Sequence, residues 1–535
     1  MRNPHAGLPF DASDEEIAAA LEDVSVPTLL LSCVHMSGDA SILDGPLRPQ
    51  GLFLNEFQGF MSEEDQAAAR SLALDVIRDY RDRGCPEPEP VDAALLKRMM
   101  DWIACEEVPP EYVPMMLEEM ELDGDDTRAV PAATPEAADL PVVVIGCGMS
   151  GLLAALRLEE AGFPYTVVEK NDGVGGTWWE NSYPGARVDV GNHFYCYSFE
   201  PSDHWTEYFS QQPELQAYFQ RVMEKYDVAR RVRWGTEVVG ATWDEASATW
   251  AVALDTGETL TARAVISAVG QLNRPYLPDV PGEFDGPSFH TARWDHDVDL
   301  AGKDVVMVGA GATGFQVAGA IAETVGSLTV VQRTAQWMFP NPNYHEPVGP
   351  GVRWALRHLP FYGRWFRFLI FWPGCDKGLA AAEVDPAWEP QERSVSEVND
   401  LVRVMFTEWI TSQVEDPDLL PLVVPDYPPT GKRTLQDNGT WLKTLQRDNV
   451  QLVRSGVDRL EADGVVDSDG TLHHADVVVW ATGFRVNEML LPMRIVGRDG
   501  VDLREHWGDR PSAYLGITVP GFPNFFCLYG PGPNL

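Results

Sequence analysis

The sequence predicts an α/β fold with two βαβ units, a mostly helical region ahead of them and a helical insertion in the second. Two observations carry this prediction. The apolar run Val142 to Ile145 leads directly into a glycine-rich turn, and a second run, Asp304 to Val308, leads into another. A helix-forming stretch and a further apolar run follow each turn, which is the order strand, turn, helix, parallel strand.

Length and charge limit the classes of function. The 535 residues suffice for about three or four domains of ~150 residues each. The formal net charge is −41, and the first 140 residues, with 9 basic and 30 acidic side chains, contribute −21 of it. Such a surface repels nucleic acid and anionic lipid, so we expect neither as a partner.

Cysteine spacing and hydropathy bear on metal binding, cellular location and membrane association. Seven scattered cysteines show no disulfide or metal-ligand spacing, so we expect no metal site and a reducing, cytoplasmic location. The start of the chain lacks a signal-sequence pattern, and no apolar run reaches the ~18 residues that span a bilayer. We therefore expect no association with a membrane.

The region before position 121 is predicted to be helical. Asp14 to Leu21 begins with a capping residue, and Ser62 opens a second helical stretch that runs to Tyr80. Residues 121–140 are acidic and then rich in Ala, Pro and Thr, which is typical of a linker. Because the apolar faces of these helices need a cover, we expect this region to serve association or stability, with a homodimer through it as one form of association.

The first glycine turn, residues 146–151, has the pattern GxGxxG. Gly146 permits the tight turn, Gly148 lets a pyrophosphate approach the backbone, and Gly151 lets helix and strand pack closely. The phosphates of a dinucleotide then lie at the N-terminus of the helix that starts near Ser150. Glu169 ends the next strand, where an acid binds a ribose hydroxyl. We interpret this turn as a Rossmann-like site for FAD.

The second glycine turn, residues 309–314, follows the same pattern with Gly309, Gly311 and Gly314. Its following strand, Leu328 to Gln332, ends differently, since Arg333 and Thr334 stand where the first unit has an acid. A cation at this position suits a 2′-phosphate, so we predict NADPH rather than NADH. The alternative is an ordinary surface arginine.

Two longer motifs connect the turns. Residues 175–189 combine glycines and aromatic residues in a way that suits a loop along a flat flavin ring, and Asp189 ends this motif. Residues 284–295 read FDGPSFHTARWD and place His290 and Trp294 in the order FxGxxxHxxxW. A turn or cap aspartate, a structural histidine and a packing tryptophan remain the simpler interpretations.

These motifs resemble the two signatures of Baeyer–Villiger monooxygenases from residue 141 to the end of the sequence. The acidic helical extension is most similar to the 4-hydroxyacetophenone monooxygenase branch. The family pattern continues past the position of Leu535, so we expect a further segment that closes the flavin sheet and lines the substrate pocket.

The resemblance also implies residue roles. Lys432 is expected to contact the NADP phosphate, and Arg433, oriented by Asp189, to stabilise an anionic C4a-peroxyflavin; a solvated basic pair is the alternative. The catalytic candidates are Arg433 and Asp189. The cofactor-binding candidates are Gly146, Gly148, Met149, Ser150, Gly151, Glu169, Gly176, Thr177, Trp178, Asp189, Tyr195, Val238, Gly309, Gly311, Thr313, Gly314, Arg333, Thr334, Lys432 and Arg433.

The predicted activity is an FAD- and NADPH-dependent insertion of one oxygen atom of O2 into a ketone, with an aryl ketone as one candidate substrate, to give an ester or lactone via a C4a-peroxyflavin. An N- or S-oxygenating flavin monooxygenase and a non-catalytic or truncated flavoprotein remain as alternatives. The predicted domains are an acidic helical region (1–120), a linker (121–140), an FAD-binding domain (141–275 and 477–535), an NADP-binding domain (276–340 and 430–476) and a helical insertion (341–429).

Overall fold

A computed structural model describes residues 3–122, 134–430, 432 and 434–532. The chain divides into two compact units. The first unit comprises Met1–Arg128, Arg187–Ser210 and Ala335–Lys443, and the second comprises Ala129–Ala186, Gln211–Thr334 and Thr444–Leu535.

The α-helices are given in chain order. They are α1 (Asp14–Ala20), α2 (Val26–Ser37), α3 (Glu63–Asp82), α4 (Ala93–Ala104), α5 (Tyr112–Glu119), α6 (Met149–Glu160), α7 (Thr177–Glu180), α8 (Gln212–Lys225), α9 (Ala312–Ile321), α10 (Pro350–His358), α11 (Tyr362–Phe371), α12 (Asp376–Leu379), α13 (Glu397–Ser412), α14 (Leu420–Val423), α15 (Thr440–Leu445) and α16 (Leu503–Trp507).

The β-strands follow the same order. They are β1 (Val142–Ile145), β2 (Tyr165–Val168), β3 (Val232–Arg233), β4 (Val238–Asp244), β5 (Thr249–Leu254), β6 (Thr259–Ala262), β7 (Ala264–Ser267), β8 (Ser288–His290), β9 (Asp304–Val308), β10 (Ser327–Gln332), β11 (Met338–Pro340), β12 (Leu435–Asp437), β13 (Val450–Arg454), β14 (Val457–Glu461), β15 (Gly464–Asp467), β16 (Leu472–His474), β17 (Val477–Trp480), β18 (Arg494–Val496) and β19 (Phe525–Cys527).

The first unit is built on a helical core. Helix α2 is apolar on nearly all sides and is therefore buried almost along its whole length. Helices α10 and α11, which come from the predicted insertion, pack into the same hydrophobic core as α1 to α5. Within this unit the Ser25 backbone N–H donates to the hydroxyl of Tyr362 at 2.9 Å, and the Ser32 hydroxyl donates to the carbonyl of Pro360 at 2.7 Å. The N-terminal helices and the insertion thus form one folded body.

The second unit holds two five-stranded parallel sheets. The first has the order β19-β7-β1-β2-β3 and the second has the order β13-β10-β9-β17-β8. In each sheet a glycine turn joins the central strand, β1 or β9, to a helix, α6 or α9. The predicted α/β fold with two βαβ units is confirmed.

One predicted boundary is wrong. The sequence assigned residues 477–480 to the flavin-binding domain, whereas β17 pairs with β9 and β8 in the second sheet. The run Val-Val-Val-Trp is buried at every position, as in any central parallel strand. Local sequence therefore predicted a strand here but not the sheet that it joins. The first sheet instead gains β19 at its edge, next to β7.

Three further predictions concern the linker, membrane association and metal binding. Most of the predicted linker lies outside the described residues, and Pro135–Asp139 forms a short 3-10 helix. Among the described residues, no helix combines the length and apolar character needed to cross a membrane. The same residues contain no group of three or more His, Cys, Asp or Glu side chains placed to hold a metal ion.

Candidate active site

The first glycine turn joins β1 to α6 with little free space. Gly146 has φ of 98°, and a Cβ there would lie 2.7 Å from the carbonyl oxygen of Ala268. A Cβ at Gly151 would lie 1.9 Å from the carbonyl oxygen of Gly146. Glycine is therefore required at both positions by the backbone itself. Met149 and Ser150 form the first turn of α6, whose N-terminal N–H groups suit an anion.

Glu169 follows β2 and is almost fully buried, with 4% of its surface exposed. One carboxylate oxygen accepts the Cys147 N–H at 2.6 Å, and the other accepts the Asn171 N–H at 2.9 Å. Burial raises the pKa of Glu169, and these backbone hydrogen bonds oppose the rise. The acid is thus fixed beside the turn, and each carboxylate oxygen retains a second lone pair for a ribose hydroxyl.

The loop after β2 closes over the first turn. Gly176 has φ of 54°, and a Cβ there would lie 2.9 Å from the Cα of Gly148. Two backbones without side chains thus meet where the sequence predicts a flavin nucleotide. Thr177 and Trp178 continue into α7, and the Trp178 side chain is buried.

The same loop reaches the helix of the second βαβ unit. The Tyr183 hydroxyl donates to Oε1 of Gln316 in α9 at 3.0 Å. Gly185 has φ of 81°, and a Cβ there would lie 2.6 Å from the Gln316 carbonyl oxygen. Residues 175–185 therefore run from one glycine turn to the helix that follows the other, inside a single unit.

The second glycine turn is more open. Gly309 has φ of 110°, and a Cβ at Gly314 would lie 2.2 Å from its carbonyl oxygen. At Gly311, in contrast, a Cβ would have nothing within 4 Å. Thr313 lies in the first turn of α9. Space for a ligand phosphate thus exists in front of this turn.

Arg333 lies at the carboxyl end of β10, one residue after the buried Gln332, and its side chain is exposed. Across the described ranges it has no acidic partner within ion-pair distance. Thr334 follows it at the same edge. The guanidinium is therefore available to an anion at the edge of the sheet where dinucleotides bind.

His290 is a structural residue. Its Nδ1 accepts the Ala292 N–H at 3.0 Å, and its Nε2 lies 3.0 Å from the carbonyl oxygen of Gly483, so Nε2 carries the proton. Burial lowers the pKa of this histidine. Trp294 packs edge-on against Phe289, with the ring centroids 5.1 Å apart. Both ring nitrogens of His290 thus form hydrogen bonds with backbone groups, which agrees with the interpretation of this residue as a structural histidine.

Two of the residues predicted near the reacting centre, Asp189 and Lys432, belong to the first unit. Asp189 is half-buried, and its backbone carbonyl accepts the side-chain amide of Gln436 at 2.6 Å. Lys432 is exposed, with its Nζ 4.4 Å from the centroid of the Tyr427 ring. Arg433 lies outside the described residues. Tyr195 lies in the same unit, and its N–H donates to the carbonyl of Gly191 at 2.9 Å.

Sequence reasoning missed a buried carboxylate that directly follows Gln436 in the chain. Asp437 ends β12 and is fully buried, and burial raises its pKa to about 6. Its side chain accepts the Trp441 N–H and so caps the start of α15. Val238, predicted as a cofactor-binding residue, is a buried core residue at the start of β4.

Comparison with known proteins gives the family. A family described as pyridine nucleotide-disulphide oxidoreductase matches residues 143–361. A Baeyer–Villiger monooxygenase of Pseudomonas aeruginosa is 35% identical over 412 residues, which are 76% of this chain and 75% of that protein. The chain belongs to the Baeyer–Villiger monooxygenase family. The prediction of the family from its two signatures is confirmed, and with it the prediction of a flavin-dependent monooxygenase.

Two further proteins extend the comparison. The uncharacterized monooxygenase y4iD of Sinorhizobium fredii is 38% identical over 532 residues, or 97% of this chain and 79% of that protein, and so also matches the helical N-terminal region. A steroid monooxygenase solved with bound NADP has a TM-score of 0.65 and 33% identity, covering 73% of this chain and 80% of its own.

The residues present fit two dinucleotides. At both turns the first glycine has a positive φ and the third meets the carbonyl of the first, so the strand runs straight into the helix N-terminus. The first turn has a buried acid at the end of its second strand, and the second turn has an exposed arginine there. This donor set matches a ribose hydroxyl at one turn and a 2′-phosphate at the other.

Proposed function

We propose that this protein is an FAD- and NADPH-dependent Baeyer–Villiger monooxygenase that inserts one oxygen atom of O2 into a ketone. The observation that carries the proposal is the pair of glycine turns in one unit, joined by the 175–185 loop. Two dinucleotides held in one compact unit fit the transfer of a hydride between them. Family membership supplies the reaction class.

The first turn is proposed to bind FAD. Glu169 accepts from the adenosine ribose, and the N-terminus of α6 receives the pyrophosphate. The second turn is proposed to bind NADPH, with Arg333 on the 2′-phosphate and Gly311 leaving room for the pyrophosphate. Lys432 adds a second cation for this phosphate, by resemblance to the family.

When bound, reduced FAD supplies the activation of O2. The chain supplies a fixed charge and position: Arg433 stabilises the negative charge that develops on oxygen, and Asp189 orients the guanidinium. Arginine suits this role because it stays protonated throughout the working pH range. The acidic N-terminal region, similar to that of the 4-hydroxyacetophenone monooxygenase branch, makes an aryl ketone the first substrate to test.

Product analysis with and without Arg433 tests the proposal. Wild-type protein given NADPH, O2 and an aryl ketone is expected to form an ester. In Arg433→Ala, FAD is expected to stay bound while the ester yield per NADPH falls by about a hundredfold, the size of a lost charge-stabilising group. The remaining NADPH oxidation should release hydrogen peroxide.

A matched control is Arg403→Ala, which removes another arginine of the first unit; among the described residues its ion-pair partner is Asp400, at 2.7 Å on the same helix. Its ester yield should equal that of the wild type. An Arg433→Ala protein with the parent ester yield would contradict the assigned role. Parallel assays with a thioether and an amine separate ketone oxidation from S- or N-oxygenation, and a colourless protein that consumes no NADPH would leave the non-catalytic alternative.

A further inference from the structure

A buried loop of the N-terminal region contacts Gln436 in β12. Asn55 is 3% exposed and lies between α2 and α3 in the first unit. Its side-chain amide donates to Oε1 of Gln436 at 3.0 Å, and its carbonyl accepts the amide of Asn343 at 2.8 Å. Gln436 follows Lys432 and Arg433 closely in sequence.

Gln436 is held at both ends of its amide. Its oxygen accepts from Asn55 and, at 2.6 Å, from Asn341, while its nitrogen donates to the backbone carbonyl of Asp189 at 2.6 Å. Two donors on the oxygen fix which way the amide faces, so its N–H group points at Asp189. The backbone of Gln436 is fixed as well, because β12 pairs with β11.

The cost of breaking this arrangement is high for buried groups. A buried acceptor that loses its donor pays a desolvation penalty, and an amide held by fewer bonds is free to turn. Asn55 adopts φ of 64°, a left-handed conformation that asparagine tolerates better than most side chains. In this conformation the Asn55 amide donates to Gln436.

We propose that Asn55 and Gln436 form a positioning relay through which the N-terminal region sets the placement of the Asp189 backbone. The N-terminal region is then a working part of the oxygenation site as well as a partner in the core. The relay rests on the proposed function only for its effect on oxygenation. Its effect on local order is independent of the reaction.

The test variant is Asn55→Gly, since glycine adopts φ of 64° without strain and lacks the side chain that donates to Gln436. The matched control is Ser32→Ala, which removes a different buried hydrogen bond between the N-terminal helices and the insertion. Hydrogen–deuterium exchange on the full-length protein is followed for a peptide covering residues 434–441. Ester and hydrogen peroxide formed per NADPH are measured alongside.

Asn55→Gly is expected to speed exchange in that peptide about fivefold and to lower ester per NADPH about fivefold, in favour of hydrogen peroxide. Flavin content and the KM for NADPH should stay unchanged, and Ser32→Ala should change neither readout. In a Gln436→Leu background, Asn55→Gly should cause no further loss of ester, because the effect passes through Gln436.

Unchanged exchange in Asn55→Gly, equal changes in Ser32→Ala, or additive losses in the double variant would each overturn the relay. A fall in flavin content that parallels the fall in ester would do the same, since it indicates general loosening. A wild-type protein that oxygenates no ketone overturns the proposed function instead, and the exchange measurement still decides whether the relay orders residues 434–441.

Discussion

The two glycine turns of the second unit share a sequence pattern but differ at the middle glycine. In both, a Cβ on the first or the third glycine would meet a backbone carbonyl within 1.9 to 2.7 Å. The middle glycines differ: a Cβ at Gly148 would lie 3.4 Å from the Cα of Gly176, while one at Gly311 would meet nothing. The outer glycines thus serve the fold.

The strands after the turns differ too. Strand β2 is followed by a buried acid, Glu169, which two backbone N–H groups hold in place. Strand β10 is followed by an exposed arginine, Arg333. Fold-determining positions are therefore the same in the two βαβ units, and ligand-determining positions are not. The two turns therefore differ at the middle glycine, in its surroundings and at the strand end, and the proposed assignment of FAD to one and NADPH to the other rests on these differences.

The largest expected effect comes from valine at each middle glycine. Gly148→Val blocks the approach of a pyrophosphate at the first turn and should lower FAD affinity at least a hundredfold, or about 2.7 kcal/mol. Gly311→Val should keep its flavin but lose reduction by NADPH. Flavin absorbance of the purified proteins and stopped-flow reduction give the two readouts.

The opposite pattern would reverse the assignment of the two turns. Because valine at Gly148 also approaches Gly176, the thermal unfolding of both variants is compared with that of flavin-depleted wild type. A Gly148→Val protein that is folded and still fully loaded with flavin would refute the first site.

A smaller effect is expected from Arg333→Ala. Losing one charge-assisted contact costs about 1.5–3 kcal/mol, so the KM for NADPH should rise between about tenfold and a hundredfold while that for NADH stays constant. Arg447→Ala is the control, because Arg447 precedes the amino end of β13 in the same sheet, away from the carboxyl ends, and pairs with Glu323 at 3.2 Å. Equal preference for both cofactors in the wild type would end the 2′-phosphate assignment.

The βαβ units could be predicted from sequence because their signals are local. An apolar run, a glycine turn and a helix are adjacent in the chain, and Glu169 and Arg333 each end the next strand. Pairing between distant strands has no such signal, so β17 was assigned to the wrong sheet although its residues were correctly predicted as a strand.

Long-range contacts in the first unit were beyond prediction for the same reason. The N-terminal helices and α10–α11 share a core that only the folded chain brings together. Asn55 and Gln436 are 381 positions apart in sequence, and neither residue type is distinctive by itself. A polar side chain with no pattern around it looks like surface until its partner is known.

The smallest expected effect comes from alanine at the middle glycine of the second turn. Gly311 has φ of −73°, which alanine adopts without strain, and its Cβ would meet no protein atom. Gly311→Ala should therefore raise the free energy of unfolding by about 0.4–1 kcal/mol, because alanine lowers the conformational entropy of the unfolded chain. The same variant should raise the KM for NADPH severalfold, because its methyl group would occupy the space proposed for the pyrophosphate. Gly314→Ala is the contrast, since its Cβ would lie 2.2 Å from the Gly309 carbonyl oxygen and should cost about 1–3 kcal/mol of stability. Denaturant unfolding of both variants tests whether their changes in stability have opposite signs, and steady-state kinetics gives the KM for NADPH. If Gly311→Ala instead lowers stability and leaves the KM unchanged, the middle glycine serves the fold as the outer two do, and the open space in front of the second turn is not where NADPH binds.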